Sequence, residues 1–329
     1  MTEMRSFSFA EWLQPQKLLQ LALRSPLGAI ASSRAIDGPT LRGVTDVYMP
    51  LSRLWAAAEV AEGDVDRFAA AVPLEDKLGP VLRRQVARAL VAFDTARAQA
   101  ADAARVWEAA FFSAHTASTE RLVHVEHRRL LRAQRLLLQR LRFALVFMRA
   151  RVPSVRFDIP DEAAVKSVYG AYRDEPWRAF TPAAPLPTVE RSHAIPSAGG
   201  RDYWLRFMTP HARMGDTAWA RVHEPVDAED APTFIFGNGV CVEFDHVKYS
   251  MDDVMALCRA GVRVIEIESP WHGRRRARGT YSGEPFLARA PLGPIDLFTA
   301  QVQEIAVLTD WARQQGSARV GVGGASLGA

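Results

Sequence analysis

At 329 residues the chain is long enough for two parts with hydrophobic cores of their own. Hydrophobic residues make up 48% and charged residues 24%, proportions that exclude a disordered or fibrous chain. The formal charge is +4, carried almost wholly by arginine, with lysine only at Lys17, Lys77, Lys166 and Lys248, a balance too mild to ask for a nucleic-acid partner.

Two cysteines, Cys241 and Cys258, cannot make a disulfide framework and lack metal-ligand spacing, so they read as buried or incidental thiols. No metal or cofactor is expected. Glu3, Arg5, Glu11 and Lys17 interrupt the start before any apolar stretch of signal-peptide length. No run approaches the ~20 apolar residues of a spanning helix. The expectation is a cytoplasmic protein with no integral membrane segment.

In chain order, residues 15–24 predict a short amphipathic helix with Pro15 in its first turn. A loop through Gly38, Pro39 and Gly43 leads to a second helix starting at Pro50. Gly79-Pro80 opens a much longer one, whose apolar and alanine positions recur at spacings of three and four from Val86 through Leu90 and Phe93 to Trp107 and Phe111. Capping residues at 115–119 interrupt the pattern, and a second long helix runs to Pro153. Its expected inward face holds Leu130, Leu131, Leu137, Leu138, Leu141, Leu145 and Met148. The two long helices should form an antiparallel hairpin. A separate stripe of Arg128, Arg132, Arg135, Arg142 and Arg149 is taken as a solvated face paired with acids. The alternative is a basic face for anionic membrane or nucleic-acid phosphates.

Residues 152–200 carry seven prolines and Gly199-Gly200, which preclude long helices and predict a wrapping linker with one short helix near Glu162 to Tyr172. The expected division is a helical domain over 1–151, a Pro-rich linker over 152–200, and a further domain over 201–329.

From Asp202 the periodicity changes to that of strands. Tyr203 to Met208 and Thr217 to Val222 predict an antiparallel pair around Met214-Gly215-Asp216. Pro232 to Phe236 is a buried strand ending in Gly237-Asn238-Gly239, followed by a helix through Val254, Leu257 and Cys258 that Gly261 stops. Val262 to Ile267 is the next strand, ending at Glu268-Ser-Pro-Trp-His-Gly-Arg274. A helix over 295–315 and a strand over Arg319 to Val322 complete the alternation. Strand, helix, strand, helix, strand implies right-handed crossovers and a parallel sheet, hence an α/β class behind an all-α N-terminal part.

The last strand runs into Gly324-Ala325-Ser326-Leu327-Gly328, a G-x-S-x-G pentapeptide. In a nucleophile elbow the serine sits on a strained strand-to-helix turn, with small residues two positions either side because two backbones meet there. Together with the oxyanion-type turn Phe236-Gly-Asn-Gly239, the loop Glu268-Ser-Pro-Trp-His-Gly-Arg-Arg275 and the helix start Asp296-Leu-Phe, the motif resembles the α/β-hydrolase superfamily over residues 202–329. More narrowly, the layout is similar to its abhydrolase-eighteen-like group.

The resemblance implies Ser326 as nucleophile, with an ester or related acyl bond as substrate. The backbone N–H of Leu327 would be one oxyanion donor, and Asn238 or Gly239 would supply the other. Phe236 departs from the family's usual histidine at that turn. Esterase, lipase, thioesterase and peptidase chemistries all stay open. His272 and His246 are the histidines in range of the motifs; His272 is expected to be structural, and Glu268 to anchor its own loop. Arg274-Arg275-Arg276 and Arg278 are read as a solvated loop, with a bound acidic substrate group as the other reading. The resemblance also implies an acid and a histidine after the serine, and the sequence stops at Ala329. This is therefore read as an incomplete hydrolase sheet, inactive alone, with the triad acid and histidine outside the chain. The alternative is a non-catalytic interaction or scaffold protein acting through its helical half, which is also the candidate homodimer surface.

Overall fold

The computed structural model describes residues 34–72, 78–115, 117–239 and 252–328. The helix expected over 15–24, Cys241, His246 and Ala329 lie outside them.

The described chain starts with α1 (Arg34–Gly43), a π-helical turn (Val44–Tyr48) and α2 (Met49–Ala61) in unbroken succession. The loop expected through Gly38, Pro39 and Gly43 is thus helical, and the wider π turn takes up the irregularity after Pro39. α3 (Val65–Ala71) is capped by the Asp64 carboxylate, which accepts from the N–H groups of Asp66 and Arg67. α4 (Pro80–Phe111) is the long helix that the spacing predicts, with Val86, Leu90, Phe93, Trp107 and Phe111 buried along it.

α5 (Thr119–Leu138), capped by Ser118, returns antiparallel to α4. It does not continue to Pro153 as one α-helix: residues Gln139–Phe143 tighten into a 3-10 helix before α6 (Ala144–Arg149). The change of pitch turns Phe143 and Val146 into the helical core, where they meet Trp55, Phe68 and Phe93. The leucine face is corrected accordingly. Leu131, Leu138, Leu141, Leu145 and Met148 are exposed.

Residues 152–189 hold α7 (Glu162–Tyr169) and short 3-10 turns, as the prolines predict. The strands begin earlier than expected, with β1 (Glu190–Arg191) and β2 (Ile195–Ser197) both pairing antiparallel with β3 (Gly200–Met208). β4 (Thr217–Pro225), β5 (Thr233–Gly237), α8 (Asp252–Arg259), β6 (Arg263–Ile267), α9 (Glu284–Ala288), α10 (Leu292–Gln314) and β7 (Val320–Gly324) follow. The sheet runs β1-β3-β4-β6-β5-β7, with β2 also on β3. β4 is antiparallel to both neighbours, whereas β6, β5 and β7 are parallel. The fold is α/β with an N-terminal helical region.

Strand alternation assigns the two faces. Tyr203, Leu205, Phe207, Ala218, Ala220, Val222, Ile235 and Ile265 point to one side, where Val307, Leu308 and Trp311 of α10 cover them. Trp204 and Trp219 point to the other and meet Trp107 and Phe111 from the end of α4. The helical region therefore shares one of its cores with the sheet.

Candidate active site

The chain leaves β5 to form β6 on one side of it and then β7 on the other. Such a reversal opens a crevice at the carboxyl ends of the parallel strands, where α/β sheets place their ligands. β5 and β7 end in register, Gly237 opposite Gly324, so Gly237-Asn238-Gly239 and Ala325-Ser326-Leu327 emerge side by side there.

Ser326 has φ 56°, a left-handed backbone that costs a residue with a Cβ about 1–3 kcal/mol. Two backbone bonds hold the turn: Ala325 N–H donates to Gly237 O at 3.0 Å and Gly328 N–H to Ala325 O at 3.0 Å. The second closes a single 3-10 turn over Ser326–Gly328. The serine is exposed at the tip.

Both framing glycines are sterically required. A Cβ on Gly324 would run into the carbonyl oxygens of Gly328 and Gly237, and one on Gly328 into the Gly237 carbonyl. A Cβ on Gly239 would stand 3.1 Å from Ser326 Cβ and 3.5 Å from its Oγ, which sets that turn against the hydroxyl. Among the described residues the N–H groups of Asn238, Gly239 and Leu327 donate to no backbone carbonyl. Asn238 is buried, and its N–H has no backbone acceptor among the described residues. Amides free of backbone partners near a hydroxyl are the kind of donor that suits an oxygen becoming negative during reaction.

Gln301 of α10 was not signalled by any motif. It is buried, its Nε2 stands 3.1 Å from where a Gly237 Cβ would be, and its Oε1 has no partner among the described residues. No histidine or carboxylate among the described residues hydrogen-bonds the Ser326 hydroxyl. Nor do those residues hold a cluster of His, Cys, Asp or Glu able to grip a metal.

The other motif residues serve their own loop. His272 is buried and its Nδ1 lies 2.9 Å from the Pro270 carbonyl, while Glu268 accepts the Arg274 N–H, the anchoring role expected of it. The solvated reading of the arginine loop is corrected for Arg274, Arg275 and Arg276, whereas Arg278 is exposed. Arg275 is 6% exposed and pairs with both Asp216 and Glu304, Arg276 pairs with Glu59 of α2, and Arg274 lies over the rings of Trp107 and Trp219. A chain rich in arginine but short of lysine uses the guanidinium's planar fork to fasten loops.

Two further polar clusters join residues that no motif linked, although Asp296 stands in the helix-start motif. Tyr169 of α7 donates to Asp296 at 2.7 Å, and Arg213 grips the same carboxylate at 2.8 and 3.0 Å. His211 joins through Thr299 at 3.0 Å, and burial pushes its pKa down. On the opposite sheet face His223 sits between Asp202 (3.0 Å) and Glu266 (2.6 Å), with Arg221 on Asp202 at 2.6 Å. Burial alone would lower the His223 pKa, but the two carboxylates outweigh it and raise it above its ordinary value.

No protein-family model matches the chain, and no curated protein matches it. Among solved structures it is similar to a provisionally named acetyl xylan esterase from Bacteroides fragilis, at 15% identity and a TM-score of 0.37. The match covers 50% of this chain and 48% of that one, so the chain spans about half the length of the structure it matches. A superposition this loose does not bear on function.

Proposed function

We propose that the chain carries the nucleophile and oxyanion donors of a serine hydrolase that cleaves an ester or related acyl bond. The observation that carries this reading is the strained backbone of Ser326 at the end of β7, with the Gly239 turn set against it and the amides of Asn238, Gly239 and Leu327 donating to no backbone carbonyl among the described residues. A buried structural serine has no need of such a conformation, and strain of this kind concentrates at functional turns. The strand order adds support, since the reversal around β5 opens the crevice where the serine stands.

In this reading Ser326 Oγ attacks the acyl carbon while a base takes its proton. The carbonyl electron pair moves to oxygen, which receives hydrogen bonds from the Leu327 N–H and from Asn238 or Gly239. The tetrahedral species then expels the alcohol, which regains the proton, and water releases the acyl group by the reverse sequence. The family resemblance assigns the base to a histidine later in chain order than the serine.

Labelling with a fluorophosphonate, read by intact mass, tests this. The expected adduct is on Ser326 and is lost in Ser326→Ala. Added imidazole should accelerate labelling wherever the chain's own base is not in place, because a diffusing base then substitutes for it. No Ser326-dependent adduct, with or without imidazole, would sink the proposal.

A further inference from the structure

Between Glu126 and Asp158 the chain has nine arginines and no acidic residue. The structure folds this stretch into α5, the 3-10 segment and α6, and sorts its side chains in an unusual way. Phe143 and Val146 turn inward with Leu136 and Leu137 packed beside them, and a second set of aliphatic residues turns out: Leu138 is 60% exposed, Leu141 63% and Met148 66%. A three-residue step in a 3-10 helix returns to the same side, so Leu141 stands below Leu138. The 3.6-residue period brings Leu131 and Arg135 in line above and Met148 below. The result is a convex ridge roughly 26 Å long, aliphatic along its crest, with Arg135, Arg142 and Arg149 exposed on it. Neither Arg135 nor Arg149 has a carboxylate partner among the described residues, and Arg142 bonds only Gln139 at 2.6 Å.

Beside the ridge a groove of about 370 Å³ runs between α4 and α5, floored by Ala92 and Ala96 and rimmed by Arg135 and Arg142. Alanines there let the cleft form, and two guanidiniums at its rim suit a phosphate.

We infer that this ridge docks on an anionic lipid surface, its leucines and methionine entering the acyl boundary and its arginines meeting the head-group phosphates. A convex aliphatic crest flanked by cations fits a deformable negative plane. Nucleic acid is disfavoured because no Phe, Tyr or Trp is exposed on α5 or α6 for base stacking. A second copy of the chain is disfavoured because an isologous contact would set arginine against arginine.

The experiment is co-flotation of the purified chain with vesicles of phosphatidylcholine, alone or mixed with phosphatidylglycerol. Flotation is expected with the mixed vesicles only and should weaken at high ionic strength, where exposed charges are screened. Arg135→Glu with Arg142→Glu, and separately Leu138→Glu with Leu141→Glu, should each reduce it at least about tenfold while circular dichroism and Tm stay unchanged, since all four positions are on the surface. Arg135→Lys with Arg142→Lys should retain it. Absence of flotation by the wild-type chain overturns the proposal, and so does flotation that both glutamate pairs leave intact. It is overturned equally if the wild type runs as a dimer, the glutamate pairs run as monomers, and none of them floats.

Discussion

Four buried side chains on the sheet face that meets α4 form one charged cluster: Asp202, Arg221, His223 and Glu266. With His223 protonated the set is neutral, two cations facing two carboxylates. The Asp202 pKa is held below the usual carboxylate range: burial opposes this, and the Arg221 charge and the His223 hydrogen bond overcome it. The signs follow by linkage. A depressed folded pKa makes the Asp202 contribution present above its unfolded value near 4 and lost as pH falls. A raised folded pKa makes the His223 contribution complete below about 6.5 and lost as pH rises through the folded value. The urea midpoint of the wild type is therefore expected to fall between pH 6 and 9. His223→Gln should lower it at pH 6 and remove its slope over that range. Equal slopes in the two proteins would refute the assignment.

At the scale of elements, the loop after β6 is held by a few single side chains. Arg275 bridges Asp216, in the β3–β4 turn, to Glu304 of α10, and also donates to the Glu268 carbonyl at 2.9 Å. Two carboxylates and a strand end thus converge on one guanidinium, whose pKa is raised by Glu304 and Asp216 against the opposing effect of burial. Arg275→Met leaves both carboxylates without their counter-charge. The expected cost is about 3–5 kcal/mol, read as a drop in ΔG of unfolding from urea titration. A loss under 1 kcal/mol would mean that water reaches the site and replaces the arginine. The motif that ends β6 is legible in the sequence, and Glu268 anchors it as expected. The arginines after it are not, because a run of basic residues looks the same whether it is solvated or paired with acids 29 and 59 positions away.

Taken whole, the molecule ties its helical region to the sheet through both packing and charge. Trp107 and Phe111 pack on Trp204, and Arg53 of α2 pairs with Glu284 of α9 at 2.6 Å with both side chains buried. Arg276 with Glu59 and Arg206 with Glu108 join the same two regions. Shared cores and buried cross-pairs predict that both regions unfold together. Glu284→Gln leaves Arg53 as a buried uncompensated charge and should cost about 3–5 kcal/mol. Because that loss falls between the regions, calorimetry should show the single wild-type transition split into two. A lowered but still single transition would show that the aromatic contact and the remaining ion pairs suffice to couple them.

Much of this was determined by the sequence itself. Period-2 and period-3.6 patterns located β3 to β7, α4 and α10 within a few residues, because burial on one face leaves its spacing in the chain. The G-x-S-x-G spacing announced the turn at Ser326, since only glycine tolerates the backbone contacts found at Gly324 and Gly328. Tertiary structure decided what depends on partners distant in sequence. The reversal of strand order around β5 set the serine beside Asn238 and Gly239, and the pitch change at Gln139–Phe143 chose which leucines face out. Gln301, His223 and Arg275 acquired roles only from what the fold brought against them, and a local pattern carries no trace of a partner it does not contain.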